Sequence, residues 1–143
     1  MVKTRIKKTR SPKKKRARPR EVGHPVPGLT GSLLLFDLPA ETEQLRHEAP
    51  WQSTSRNAKT LVKYPDLRAV LIAMKAGTRM AGHKADGSIS LHALTGKLRL
   101  HLQAQAVELP VGRLVTLERA LPHDVEALED SSFLLTISWP RGA

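Results

Sequence analysis

The chain of 143 residues contains no cysteine. Disulfides, thiolate zinc sites and cysteine nucleophiles are excluded, and redox chemistry says nothing about the compartment. No apolar run approaches the roughly 18 to 20 residues of a membrane-spanning helix. The N-terminus is basic, but no apolar core follows it, so it does not read as a secretory signal. A cytoplasmic protein with no membrane partner is the expectation. Residues 1–20 also lack acids and aromatics altogether. Without acids the stretch is uniformly cationic, and without aromatics it cannot stack on the bases of a single strand. Two catalytic signatures are missing as well. Nothing around Ser88 and Ser90 resembles a nucleophile elbow. The glycine-bearing stretches "GHPVPG" and "AGTRMAG" lack the lysine and helix entry that grip phosphate.

What is present is charge in one place. The net charge is +11, and residues 1–20 carry eleven Lys and Arg. Residues 21–143 hold the other thirteen against all thirteen Asp and Glu, so the body is neutral by formal count. The arm "MVKTRIKKTRSPKKKRARPR" cannot bury enough apolar surface to offset its ordering entropy, and it reads as disordered. Lys13, Lys14, Lys15, Arg16, Arg18 and Arg20 are its polyanion-binding candidates. Each would release a counterion on meeting a phosphate, giving nonspecific, salt-sensitive nucleic-acid affinity. Residues 1–28 are assigned as tail and linker, with Pro25 and Pro27 marking the linker, and residues 29–143 as one folded domain.

The body reads as β-rich after one short helix. Asp37 caps a helix running to about His47, with Pro39 in its first turn. Leu38, Leu45 and Trp51 dock it. Then come "LRAVLIAMKAG", ended by glycine, and "SISLHALTGKLRLHLQAQAVEL", which alternates. Ile89, Leu91 and Ala93 share one face, as do Leu98, Leu100 and Leu102, while His92 points outward. A two-residue hairpin turn at Gly96 is expected to pair these two strands, bringing His92 opposite His101 or Arg99. "GRLVTLE" and "SSFLLTISW" supply further strands. Many short strands with regular turn signals suggest a sandwich or barrel.

Between residues 60 and 139 two glycine–histidine spacings agree with one family. Five residues separate Gly77 from His83, and Gly96 closes that motif. Gly112 leads to His123 at the spacing of a second. In both, the chain resembles the cupins, small double-sheet jelly rolls. The resemblance implies an all-β barrel, a double-stranded β-helix, with a metal site at its mouth. The departures from it matter as much. The second histidine of the first motif is Ala85, and the glutamate is Ile89 or Ser90, depending on the gap. In the second motif Glu118, Ala120 and Ala127 replace proline, glycine and asparagine. Of four implied ligands, His83 and His123 survive.

Asp86, three residues after His83, is the best third donor, since two histidines and a carboxylate suit iron(II). Glu118 and Asp124 are weaker. The leading expectation is a cupin that binds a small polar ligand, with Ile89, Leu91, Leu100 and Leu102 as the apolar wall and His83 and His123 at the mouth. It would hold no metal, or a weakly bound divalent iron, manganese or zinc ion. The alternative is a metal-dependent dioxygenase or isomerase using His83 and His123. The "SLLLF" segment, residues 32–36, is expected to add a strand to a second copy in a homodimer.

Overall fold

The computed structural model describes residues 29–140. The arm, including Lys13, Lys14, Lys15, Arg16, Arg18 and Arg20, lies outside the described residues, as does the linker. Helix α1 spans Leu38–Arg46, and the Asp37 side chain accepts from the Ala40 N–H at 3.1 Å. That capping satisfies one of the orphan donors of the first turn. A second helix, α2 at Ala49–Thr54, was not expected from the sequence. Glu48 is extended before it, Pro50 fits its first turn, and Ser55 ends it in the left-handed region at φ 64°. Its short length hides any helical period, and proline at the start is the one local signal.

Among the described residues nine strands follow: β1 Arg56–Lys63, β2 Leu67–Met74, β3 Arg79–His83, β4 Ser88–Thr95, β5 Lys97–His101, β6 Ala106–Pro110, β7 Leu114–Leu117, β8 His123–Ala127 and β9 Ser131–Ser138. They form a five-stranded sheet, β1-β2-β9-β4-β7, facing a four-stranded sheet, β3-β8-β5-β6. Every pairing is antiparallel. This is the all-β double-sheet jelly roll implied by the motifs.

One expected pairing is overturned. β4 and β5 do not form a hairpin: β4 pairs with β7 and β9, and β5 with β6 and β8. Gly96, at φ 75°, carries the chain from one sheet to the other. A glycine at positive φ signals a sharp turn, but it does not say whether the flanking strands pair. His92 therefore faces neither His101 nor Arg99; its register partners are Leu114 and Leu134, and it is exposed.

The main core lies between the sheets, where Leu91, Ala93, Leu98, Leu100 and Phe133 are at most 1% exposed. Full burial stabilises each large apolar side chain by roughly 1.5–3 kcal/mol. A second cluster joins Leu45 of α1 and Trp51 of α2 to Leu61, Leu71 and Ala73. Along β2, Ile72 and Met74 enter the first cluster while Leu71 and Ala73 enter the second. Both faces of this strand are covered there, which is why "LIAM" reads as an unbroken apolar run rather than an alternation. Among the described residues, no helix is long and apolar enough to cross a membrane.

Candidate functional site

The site is built where β3 meets β8. Arg79 pairs in register with Glu126 and Met80 with Val125; the register then shifts, and His83 lies opposite His123. The irregularity sits at Gly82, with φ 71°. Its N–H donates to Asp124 Oδ1 at 2.7 Å, and Arg79 Nη2 donates to Asp124 Oδ2 at 2.9 Å. Asp124 thus clamps the bulge that brings His83 level with His123. The Gly82 N–H, followed by the Arg79 guanidinium, holds the Asp124 carboxyl below the usual carboxylate range.

Burial alternates along β8, with His123, Val125 and Ala127 inside and Asp124 and Glu126 outside. His123 is 8% exposed. Its Nδ1 lies 2.9 Å from the Leu121 carbonyl oxygen. A carbonyl only accepts, so Nδ1 carries the proton, and in the neutral ring Nε2 is the basic nitrogen.

His123 borders a cavity of about 200 Å³ between the two sheets. Ile72, Met80, Ala85, Ile89, Leu91 and Phe133 supply most of its wall, with Val125, Leu135 and Ile137 completing the apolar part. Among the described side chains, Lys84 and His123 are its polar lining residues. The chamber is greasy, with a cationic side chain and an imidazole on its wall.

The structure separates the residues singled out from the sequence. Ile89 and Leu91 line this cavity; Leu100 and Leu102 pack in or against the core and do not line it. Ile89 rather than Ser90 is the buried alternative at the position where the family motif has glutamate. Asp86 is exposed in the bend between β3 and β4 and does not line the cavity. Glu118 is exposed too, and Asp124 is committed to Gly82 and Arg79. Sequence reasoning did not single out Lys84, whose one signal was its place between His83 and Ala85. Ile72, Phe133 and Ile137 read only as strand residues, because the pairing that brings them together is nonlocal.

Two of the four ligand positions that the motifs imply hold no metal donor, and the side chain of His83 lies outside what the structure describes. A catalytic site usually offers three protein ligands. Here Ala85 and Ile89, at two of the motif's four ligand positions, place hydrocarbon in the cavity wall. Among the described residues, no three His, Cys, Asp or Glu side chains gather as a metal-holding group.

The outer face of the four-stranded sheet carries an ion-pair lattice. Arg99 Nη2 donates to Glu108 Oε2 at 2.8 Å, and His101 Nε2 lies 2.7 Å from Glu126 Oε1. Glu126 is held below the usual carboxylate range chiefly by His101, and Glu108 chiefly by Arg99. These groups lie outside the barrel and have no access to the cavity.

No family model matches the sequence, and no curated protein matches it either. Solved structures do. An RmlC-like cupin protein from Desulfovibrio desulfuricans matches with a TM-score of 0.57 at 19% identity, over 64% of this chain and 89% of that one. KdgF from Halomonas sp. gives 0.55 at 22% identity, over 61% and 82%. A mutant salicylate 1,2-dioxygenase from Pseudoaminobacter salicylatoxidans gives 0.67 at 15%, covering 80% of this chain and 38% of the enzyme. These likenesses establish the fold: the described residues form a cupin barrel.

Proposed function

We propose that the barrel binds a small molecule with an apolar body and one anionic group, a carboxylate being the simplest, and does so without a resident metal. The supporting observation is the cavity of about 200 Å³, whose wall, among the described side chains, is hydrocarbon except for His123 and Lys84. An apolar chamber with a few placed polar groups is the usual form of a small-ligand site. The Leu121 carbonyl holds a proton on His123 Nδ1, so the ring must take up a second proton, at Nε2, to donate to a carboxylate, and Lys84 adds positive charge at the cavity wall. Apolar contact would supply most of the affinity, and the two polar groups the orientation.

A dioxygenase or isomerase reading would require donors that Ala85 and Ile89 do not supply, so no step is routed through a metal. Our reading of the arm is a nonspecific polyanion contact through Lys13, Lys14, Lys15, Arg16, Arg18 and Arg20.

The test is thermal denaturation of the full chain with a panel of short-chain and aromatic monocarboxylates, with the matching amides as uncharged controls. Ligand at a hundred times its Kd adds about 2.7 kcal/mol of stability, enough to raise Tm by several degrees. Carboxylates are expected to raise Tm where amides do not, and Ala85→Phe, which fills the cavity, should abolish the rise. Equal shifts from acid and amide, or no shift from any compound, would overturn the reading.

A further inference from the structure

A second concavity lies at the turn between β1 and β2, away from the barrel cavity and sharing no residue with it. Lys63 ends β1 and is the register partner of Arg68 near the start of β2. The Tyr64 N–H donates to the Leu67 carbonyl at 2.8 Å, closing the turn. Trp139, just past β9, is anchored by its N–H to the Asp66 carbonyl at 3.0 Å. The Tyr64 hydroxyl donates to the Gly31 carbonyl at 2.7 Å, tying the start of the described chain to the same place. Thr30, Lys63, Tyr64, Pro65, Arg68 and Trp139 line the resulting open groove of about 610 Å³.

The electrostatics here differ from those of the four-stranded sheet. On the four-stranded sheet, Arg79 is paired with Asp124 and Arg99 with Glu108. In the groove, two cations stand directly opposite one another, and among the described residues neither forms an ion pair. Like charges at opposed positions destabilise a strand pair. The Arg68 guanidinium lies 5.4 Å from the Trp139 ring centroid, and its Nε is buried without an acceptor. A buried donor left unpaired carries its full desolvation penalty. An anion in the groove would relieve the like-charge opposition of Lys63 and Arg68, and arginine's planar fork suits phosphate or carboxylate.

We infer that this groove binds a nucleotide unit: phosphate on Lys63 and Arg68, base against Trp139 and Tyr64. Two cations match a phosphate ester, and the two aromatic side chains match a flat ring. The site also supplies what the arm lacks. Thr30 lies at the groove, ten residues beyond the last basic residue of the arm, and the arm has cations but no aromatic side chain. The inference is independent of the barrel's ligand.

The experiment uses the full chain and two probes: adenosine 5′-monophosphate and a 5′-phosphorylated single-stranded DNA of eight nucleotides. Affinity is measured by calorimetry across a salt series, for the wild type, Lys63→Ala with Arg68→Gln, and Trp139→Leu, each checked for folding by circular dichroism. Lys63→Ala alone, an exposed change, serves as a variant that keeps the fold. The double variant should bind at least tenfold more weakly, Lys63→Ala alone should weaken binding in the same direction, and the double variant's salt slope for DNA should be smaller by about 1. Trp139→Leu should cost about tenfold. Mononucleotide binding that the variants weaken identifies a free nucleotide as occupant and DNA binding that they weaken identifies a strand, and either supports the site; DNA binding that the variants leave unchanged belongs to the arm and counts against it. If neither probe binds, or if all variants bind as the wild type does, the inference is overturned.

Discussion

Thr95 and Lys97 flank a single glycine yet belong to different sheets: Thr95 pairs with Ser132 of β9, and Lys97 with Pro110 of β6. Ser131 locks this corner, its hydroxyl accepting from the Lys97 N–H at 3.0 Å. A Cβ on Gly96 would collide with the Asp130 carbonyl oxygen and the Ser131 hydroxyl. Gly96→Ala therefore combines a left-handed backbone with overpacking, and should destabilise by roughly 2–4 kcal/mol. Urea denaturation checks this; a loss below about 0.5 kcal/mol would mean the corner rearranges freely.

Leu100 is fully buried between the sheets, whereas Leu102 lies past the end of β5 and is only partly covered. Leu100→Ala should cost about 3–5 kcal/mol and Leu102→Ala less than about 2, because the cavity term scales with what surrounds the deleted methyls. Chemical denaturation of the two variants side by side reads the difference.

If hydrocarbon at positions 85 and 89 is what denies the barrel a metal, donors placed there should restore one. The wild type, purified without a histidine tag, should retain only substoichiometric iron, manganese or zinc after incubation and desalting. Ala85→His with Ile89→Glu should retain close to one equivalent, by elemental analysis. Stoichiometric metal on the wild type would contradict the site described here.

The outer lattice sets an acid limit. Asp124, Glu126 and Glu108 are all held below the usual carboxylate range in the folded protein. A depressed folded pKa means that the unfolded chain takes up protons first. The stability from these groups is therefore fully present above an unfolded carboxylate pKa of about 4 and is lost as pH falls through the folded values. Asp124→Asn should lower the urea midpoint at neutral pH, where the carboxylate's contribution is fully present, and flatten its decline between about pH 5 and 2. An unchanged slope would show that the Gly82–Asp124–Arg79 clamp is not linked to folding.

Residues 32–36 belong to no strand of the described sheets, and Leu33 and Leu35 are 85% and 62% exposed. Leu34 and Phe36 are half-buried, so the segment alternates like a strand. Such an apolar edge invites pairing with a second copy. Light scattering should show a dimer that Leu33→Ser with Leu35→Ser converts to monomer; a monomeric wild type would rule it out.

Sequence alone determined the features that depend on near neighbours. The Asp37 cap, the inward sets Ile89-Leu91-Ala93 and Leu98-Leu100, the outward His92, and the glycine–histidine spacings of the barrel were all readable. Each is fixed by a local dihedral preference or by the two-residue repeat of a strand. Tertiary structure alone decided which strands pair across Gly96, that Asp124 clamps a bulge, and that Lys63 and Arg68 share a groove with Trp139. A repeat of two says which face a side chain takes within its own strand. It carries no information about the partner strand, because partners are chosen by contacts between residues far apart in the chain.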